Sequence, residues 1–105
     1  MPTVGGIVLA RAVSVKTGTV ENTTLANADQ EYSHAFPATT KMFNIQSRTN
    51  GTIKLSFTSG ESGTTYWTIA PGQNALMYNY DGTSTITLYM QSPQAGNVVE
   101  LMSWK

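Results

Sequence analysis

Lys41–Ala70, with the sequence KMFNIQSRTNGTIKLSFTSGESGTTYWTIA, is the stretch that decides the fold. Its apolar residues recur at every second position in three short runs, which two polar turns separate. Strict alternation predicts β-strands, because successive side chains of a strand point to opposite faces and one row can then face a core. Asn50-Gly51 lies between the first two runs, and this pair favours the tight turn of a β-hairpin. We therefore predict three consecutive strands, the first two of them joined as a hairpin.

The same alternation continues on both sides of this stretch. Gln30–Phe36 alternates before it, and Pro71-Gly72 and Asp81-Gly82 mark turns after it. Later alternating runs are Ala75–Tyr80, Thr85–Gln91 and Val98–Trp104. No segment has the length and the apolar stripe of a helix, and nothing resembles a βαβ unit. About eight or nine short strands predict an all-β fold, either an antiparallel β-sandwich (jelly-roll-like or Ig-like) or a small barrel.

The composition excludes several classes of protein. The chain has 105 residues, which suits one domain, and it has no cysteine for a disulfide or a thiolate metal site. Six basic and six acidic residues give a formal net charge of zero, and charged residues are only 11% of the chain. Such a chain lacks the basic surface that nucleic acids or anionic membranes attract, so we expect neither as a partner. No apolar run approaches the ~20 residues of a membrane span.

Residues 1–12 differ from the predicted sandwich domain of residues 13–105. Gly5-Gly6 is followed by Ile7-Val8-Leu9-Ala10, which is apolar on both faces of an extended chain. A signal peptide is not expected, because this core is too short and Arg11 interrupts it. Two interpretations stay open, a first strand buried on both sides and an arm that packs on a neighbouring copy. Twelve extended residues reach about 40 Å, so an arm can bridge two copies.

No constellation of residues predicts catalysis. His34 is the only histidine, and the six acidic residues are scattered. A general base needs a positioned partner and a metal site needs several ligands, so His34 is interpreted as a packed or interface residue. Phosphate-binding, calcium-binding and nucleophile motifs are absent. We predict a protein that is not an enzyme and that has no catalytic, cofactor-binding or metal-binding residues.

Aromatic residues carry the remaining functional signal. Tyr66 and Trp67 point to opposite faces of one strand, and Val98, Met102 and Trp104 form an outer apolar row on the last strand. A sheet that is apolar on both faces is covered twice, once by its own core and once by a neighbour. The interface candidates are Ile7, Val8, Leu9, Tyr66, Met102 and Trp104. The alternative is a carbohydrate-binding module in which Trp67, Tyr78 and Tyr80 stack on sugar rings.

About two thirds of the chain, from Phe36 to Trp104, resembles small virion structural proteins of tailed bacteriophages. The resemblance lies in three segments taken in order: FPATTKMFNIQSRTNGTIKLSFTSG, TTYWTIAPGQ and TITLYMQSPQAGNVVELMSWK. Its most recognisable parts are Ile45-Gln46-Ser47-Arg48, the Ala70-Pro71-Gly72 turn, and Val98-Val99-Glu100-Leu101 with Trp104 at the end. These motifs are structural, so the resemblance carries no catalytic residue onto this chain.

Proteins of this kind are β-sandwich components of particles: capsid decoration (cement) proteins, head fibres, or small tail and adaptor proteins. The resemblance implies a location in the virion but does not distinguish these classes, and the head and tail positions both stay open. The apolar sheet faces and an arm at residues 1–12 favour a capsid decoration protein. Its expected partners are copies of itself in a symmetric oligomer, a trimer being the first expectation, and the major capsid or other virion proteins. A glycan is the less favoured partner.

Overall fold

The computed structural model describes residues 17–78 and 85–105. These residues form eight β-strands. The strands are β1 (Gly18–Leu25), β2 (Tyr32–Ala35), β3 (Met42–Ser47), β4 (Ile53–Ser56), β5 (Trp67–Ile69), β6 (Asn74–Tyr78), β7 (Thr87–Gln91) and β8 (Asn97–Trp104). None of the described residues belongs to a helix that could cross a membrane. The predicted arm or first strand at residues 1–12, with Ile7, Val8 and Leu9, and the candidate Tyr80 lie outside the described residues.

The strands form two antiparallel sheets that face each other. Sheet A has the order β1-β8-β3-β6, and sheet B has the order β2-β7-β4-β5. Successive strands alternate between the sheets except β4 and β5, which both belong to sheet B, and the four strands of each sheet come from both halves of the chain. This is the strand order of a jelly roll, one of the predicted sandwich types. Strands β1 and β2 lie at one lateral edge of the sandwich, the β1–β2 edge, and β5 and β6 lie at the other, the β5–β6 edge.

The core lies between the two sheets and follows the alternation in the sequence. In β8 the odd-numbered residues Val99 and Leu101 are buried, while Met102 faces outward and is exposed. The other strands contribute their inward rows in the same way. The buried apolar residues are Leu25, Phe36, Phe43, Ile45, Ile53, Leu55, Ile69, Leu88, Met90, Val99 and Leu101. Burying each large side chain contributes about 1.5–3 kcal/mol, so this cluster is the main source of stability.

The predicted hairpin at Asn50-Gly51 is wrong. Strand β3 belongs to sheet A and β4 to sheet B, so this turn carries the chain from one sheet to the other. A type I′ hairpin turn needs a positive φ at both central residues, whereas only Asn50 has one, at 59°. The alternation on either side of the turn was correct, but it does not tell which strands pair.

Gly51 is needed at this crossing for a different reason. A Cβ on Gly51 would lie 2.7 Å from Nδ2 of Asn97, which is itself 1% exposed. The Asn97 amide accepts hydrogen bonds from Ser47 and Thr49 and donates to the carbonyl of Thr52. The buried amide therefore ties both ends of the β3–β4 connection to β8, and a side chain at Gly51 would displace it.

The predicted turn at Pro71-Gly72 is confirmed. Gly72 has a φ of 79°, and the N–H of Gln73 donates to the carbonyl of Ala70 over 3.0 Å. These are the features of a type II turn with proline at its second position. The turn takes the chain from β5 in sheet B to β6 in sheet A, and so it forms one end of the β5–β6 edge.

Candidate functional site

The outward side of sheet A carries a contiguous apolar surface, which we call the apolar face. Its first row across the strands runs from Trp104 in β8 through Met42 in β3 to Tyr78 in β6. Its second row runs from Val20 in β1 through Met102, Asn44 and Leu76. Residues opposite each other on neighbouring strands lie about 5 Å apart, so each row is continuous.

Solvent reaches most of this surface. The exposed fraction is 67% for Val20, 49% for Leu76, 47% for Tyr78 and 40% for Met102. Single exposed apolar residues are ordinary, but several that adjoin on one sheet face indicate an interaction surface. Four of the seven large apolar residues that are exposed in the described part of the chain lie here.

A polar row bounds the apolar face on one side. Asn22, Glu100, Gln46 and Asn74 lie opposite one another on the four strands. The Gln46 amide donates to Glu100, and Nε of Arg48 lies 2.9 Å from the other oxygen of this carboxylate. The Gln46 hydrogen bond, followed by the hydrogen bond and charge of Arg48, lowers the pKa of Glu100 below its ordinary value. The apolar face therefore ends at a row of charged and amide groups.

Trp104 is fixed at the corner of the apolar face. A Cβ on Gly18 would lie 3.1 Å from Nε1 of the indole, so the ring packs directly against the glycine backbone. Beyond Gly18, the carbonyl of Thr17 accepts a hydrogen bond from the N–H of Lys105. The chain thus enters the domain beside Trp104, at the β1 side of sheet A.

A cleft of about 800 Å³ lies along the β5–β6 edge. Its lining includes Phe57, Trp67 and Ile69 from sheet B and its loops, and Ala75, Leu76 and Met77 from β6. Trp67 is paired with the buried Leu55 and occupies the inward row, yet it is 69% exposed. Phe57, just beyond the end of β4, is 60% exposed. Leu76 belongs to both surfaces, so the cleft and the apolar face adjoin.

The structure groups only some of the predicted site residues. Met102 and Trp104 lie together on the apolar face. Tyr66 lies apart from them, in the loop before β5, where its ring is 4.9 Å from Nζ of Lys54. Of the predicted sugar-stacking set, Trp67 lines the cleft in sheet B, whereas Tyr78 lies on the outward row of sheet A. The two rings therefore belong to different sheets.

Sequence reasoning missed Val20, Met42 and Leu76 as members of the apolar face. Val20 stands among threonines and asparagines in GTVENTTL, and its outward direction gave a signal only once β1 was aligned with β8. Phe57 was also missed, because alternation placed it in the core row, while β4 ends at Ser56.

His34 closes the β1–β2 edge. Its Nε2 lies 3.2 Å from Oε1 of Glu21, and its Nδ1 lies 3.2 Å from Oγ1 of Thr23, so the ring joins β2 to β1. The ring also packs edge-on against Phe36 at 5.0 Å. Within residues 17–78 and 85–105, no three His, Cys, Asp or Glu residues gather to hold a metal ion. The contacts with Glu21, Thr23 and Phe36 show that His34 is packed within the β1–β2 edge.

Glu31 anchors the loop between β4 and β5. Its carboxylate accepts hydrogen bonds from the N–H groups of Gly60 and Ser62 and from the Ser62 hydroxyl. The Ser62 hydroxyl makes the largest contribution to lowering the pKa of Glu31 below its ordinary value of 4.5, and the two N–H groups act in the same direction. The residue just before β2 thus holds the loop that leads into β5, the strand at the opposite edge of sheet B.

Comparison with known proteins informs the fold alone. No model of a known protein family matches the chain, and no curated protein matches it. Among solved structures, the chain is similar to a de novo designed double-stranded β-helix determined by solution NMR, with a TM-score of 0.52 and 13% identity. The match covers 86% of this chain and 100% of the design. The two agree in their all-β architecture, and at this identity the likeness carries no functional assignment.

Proposed function

We propose that this protein is a non-enzymatic structural component of a phage particle, a capsid decoration protein that binds the virion surface. The apolar face of sheet A is the binding surface in this proposal, assisted by the N-terminal arm of residues 1–12. The observation that carries the proposal is the contiguous exposure of Val20, Met102, Leu76 and Tyr78.

The physical properties of this face suit a protein partner. Burying apolar area drives association, and aromatic and methionine side chains are enriched in the centres of protein interfaces. The polar row on one side of this face, in which Glu100 is bound by Gln46 and by Arg48, resembles part of the polar rim of such an interface. The low charge of the chain also limits repulsion between the many copies that a symmetric particle brings together.

The fold is compatible with this function without specifying it. Jelly rolls occur in viral capsid proteins and in lectins, so the architecture alone favours neither a virion component nor a sugar-binding protein. The choice rests on which surface is best developed, and the apolar face extends over all four strands of sheet A.

A matched pair of substitutions tests the proposal. Val20→Lys places a charge in the apolar face. Asn22→Lys places the same charge two residues further along β1, on the same side of sheet A but in the polar row. We expect Val20→Lys to abolish co-sedimentation with particles of the encoding phage and Asn22→Lys to retain it. Deleting residues 1–10 should also abolish binding while the β-sheet circular dichroism persists. Unchanged binding of the Val20→Lys variant would overturn the role of the apolar face.

Carbohydrate binding is the second candidate, and the exposed indole of Trp67 in the cleft favours it. The side-chain amides beside the cleft already make hydrogen bonds within the domain. Gln73 accepts one from the N–H of Ala70, and Asn74 donates one to Asn44. Titration with polysaccharides, followed by tryptophan fluorescence in the wild type and in Trp67→Phe, tests this function. A saturable change that the substitution removes would support it over virion binding.

A further inference from the structure

The β5–β6 cleft has the properties of a site for an added strand. Strands β5 and β6 each pair on one side only within the described residues, with β4 and β3 respectively. Each therefore presents a second edge of backbone N–H and C=O groups beside an apolar cleft. An extended segment can bind at such an edge through its backbone while its side chains fill the pockets.

The strand register places several side chains of the cleft on the inward faces of the sheets, in line with core residues. Trp67 lies in the inward row next to Leu55, and Ala75 and Met77 lie in the inward row of β6. Leu55 and Ile69 are 2% exposed, whereas Trp67 is 69% exposed. The inner row of sheet B is therefore covered in its middle and uncovered at this edge.

The chain itself contains a segment of matching chemistry. Ile7-Val8-Leu9-Ala10 is apolar on both faces, and an extended strand that enters between two sheets needs apolar residues on both. The segment precedes Thr17, where the described domain begins. Residues 7–16 span about 33 Å when extended, more than the width of sheet A, whose three strand spacings amount to about 14 Å.

The positions of the two features favour exchange between copies. The chain enters the domain at β1, and the cleft lies beside β6, at the opposite lateral edge of the same sheet. To fill the cleft of its own domain, the segment would have to pass from the β1 side of sheet A to the β6 side. When copies stand side by side with β1 of one next to β6 of the other, Thr17 of the first copy lies on the side that faces the cleft of the second. Such a head-to-tail contact closes into a ring if the rotation between copies is suitable.

We infer that the β5–β6 cleft binds Ile7-Val8-Leu9-Ala10 of a second copy of this chain as an added strand. The inference deepens the proposed function, since it rests on the arm of that proposal and assigns the surface that receives it. It requires that copies of the chain associate in solution.

Cysteine cross-linking of the full-length protein tests the inference, because the chain has no cysteine of its own. Ile7, Val8 and Leu9 are each replaced by cysteine in one series. Ala75→Cys, in the cleft, is the acceptor, and Ser33→Cys, exposed on β2 at the other edge of sheet B, is its control. A disulfide forms only when the two Cα atoms approach within about 7 Å. Differently tagged single variants are mixed, equilibrated and oxidised.

We expect a mixed dimer with Ala75→Cys and at least a tenfold lower yield with Ser33→Cys. Alternate arm positions should react best, since neighbouring side chains of a strand point in opposite directions. Equal yields at the two acceptors, or no mixed dimer, would overturn the inference. It would also be overturned if the double variant Leu9→Cys with Ala75→Cys gave only a monomer with an internal disulfide, because the segment would then occupy its own cleft.

The two proposals fail separately. Cross-linking is measured without particles, and Val20→Lys lies outside the cleft, so this variant should still cross-link. A normal cross-link combined with no particle binding by the wild type would remove the decoration function and keep the exchange of segments. The reverse result would keep the decoration function and remove the exchange.

Discussion

The two lateral edges of the sandwich differ in how they are closed. At the β1–β2 edge, His34 contacts Glu21 and Thr23 across the sheets, and its ring packs on Phe36. At the β5–β6 edge, Trp67 and Phe57 stand exposed beside a cleft of about 800 Å³. At both edges, aromatic rings lie on the inward side of a strand or directly after the strand ends. Only the first edge brings a side chain from the facing sheet to cover them.

If the β5–β6 cleft receives a partner as inferred above, one small fold divides stability and binding between its edges. A ring that its own domain covers contributes to folding, whereas a ring that is left exposed can contribute its burial to a partner. We therefore expect substitutions at the β1–β2 edge to affect unfolding and those at the β5–β6 edge to affect association.

The largest effect is expected for Phe36→Ala at the β1–β2 edge. Phe36 is 2% exposed and stacks on Phe43 with ring centroids 4.5 Å apart. Loss of a buried phenylalanine typically lowers the free energy of unfolding by about 3–5 kcal/mol, through lost burial and the cavity that remains. Urea denaturation followed by circular dichroism measures the change. A loss below about 1 kcal/mol would mean that this edge is not part of the cooperative core.

His34→Ala should have an intermediate effect. The substitution removes the contacts with Glu21 and Thr23 and the edge-on contact with Phe36. Loss of such partly exposed hydrogen bonds is expected to lower the free energy of unfolding by about 1–2 kcal/mol. Ser33→Ala, on the exposed side of the same strand, is the control and should be nearly neutral. Equal effects of the two substitutions would remove His34 from its role in closing the edge.

The acid dependence of stability should depend on Glu31, which holds the loop between β4 and β5. Its pKa in the folded protein is below the ordinary value of 4.5, chiefly because the Ser62 hydroxyl donates to the carboxylate. A lowered pKa stabilises the folded state above pH 4.5, and this contribution is lost as the pH falls through the folded value. Thermal melts of Glu31→Gln between pH 3 and pH 7 should therefore show a flatter decline on the acid side than the wild type. An unchanged decline would assign it to other carboxylates.

Trp67→Ala should have the smallest effect on folding. The indole is 69% exposed, so its removal deletes little buried area, and we expect a change of about 1 kcal/mol or less in the free energy of unfolding. Its effect should be seen in the native mass measured by light scattering, if the cleft receives a second copy. A loss as large as that of Phe36→Ala would show that the domain covers both edges equally.

The sequence predicted which face of a strand each side chain occupies better than it predicted which strands pair. Alternation assigned Val99 and Leu101 to the core and Met102 and Trp104 to the outer row, as the structure has them. Alternation depends only on local geometry, and so it can be recognised without knowing the topology. The partner of each strand depends on contacts between distant residues. Asn50-Gly51 was therefore misinterpreted as a hairpin although both flanking strands were correct.

The members of the candidate site could be predicted within one strand but not across strands. Met102 and Trp104 belong to one strand and could be grouped from the sequence, while Val20 and Leu76 join them only through the register of β1, β8, β3 and β6. The sequence left open whether Tyr66 or Trp67 faces inward. Trp67 lies on the inward row, opposite Leu55, and its exposure follows from the position of β5 at the edge of sheet B. Edge positions are a property of the assembled sheet, and no single segment encodes them.

If the apolar face binds a partner as proposed, Asn44 contributes to the choice of that partner. It lies between Met102 and Leu76 in the second row, and its Oδ1 accepts a hydrogen bond from Nδ2 of Asn74. A partner that covers this row must either match the amide with hydrogen bonds or leave it dehydrated, at a cost of about 1–3 kcal/mol. A purely apolar partner surface of similar shape would therefore bind less tightly than one with a polar group opposite Asn44. The Asn44 amide thus disfavours nonspecific binding of apolar surfaces, which a face without a polar group would permit.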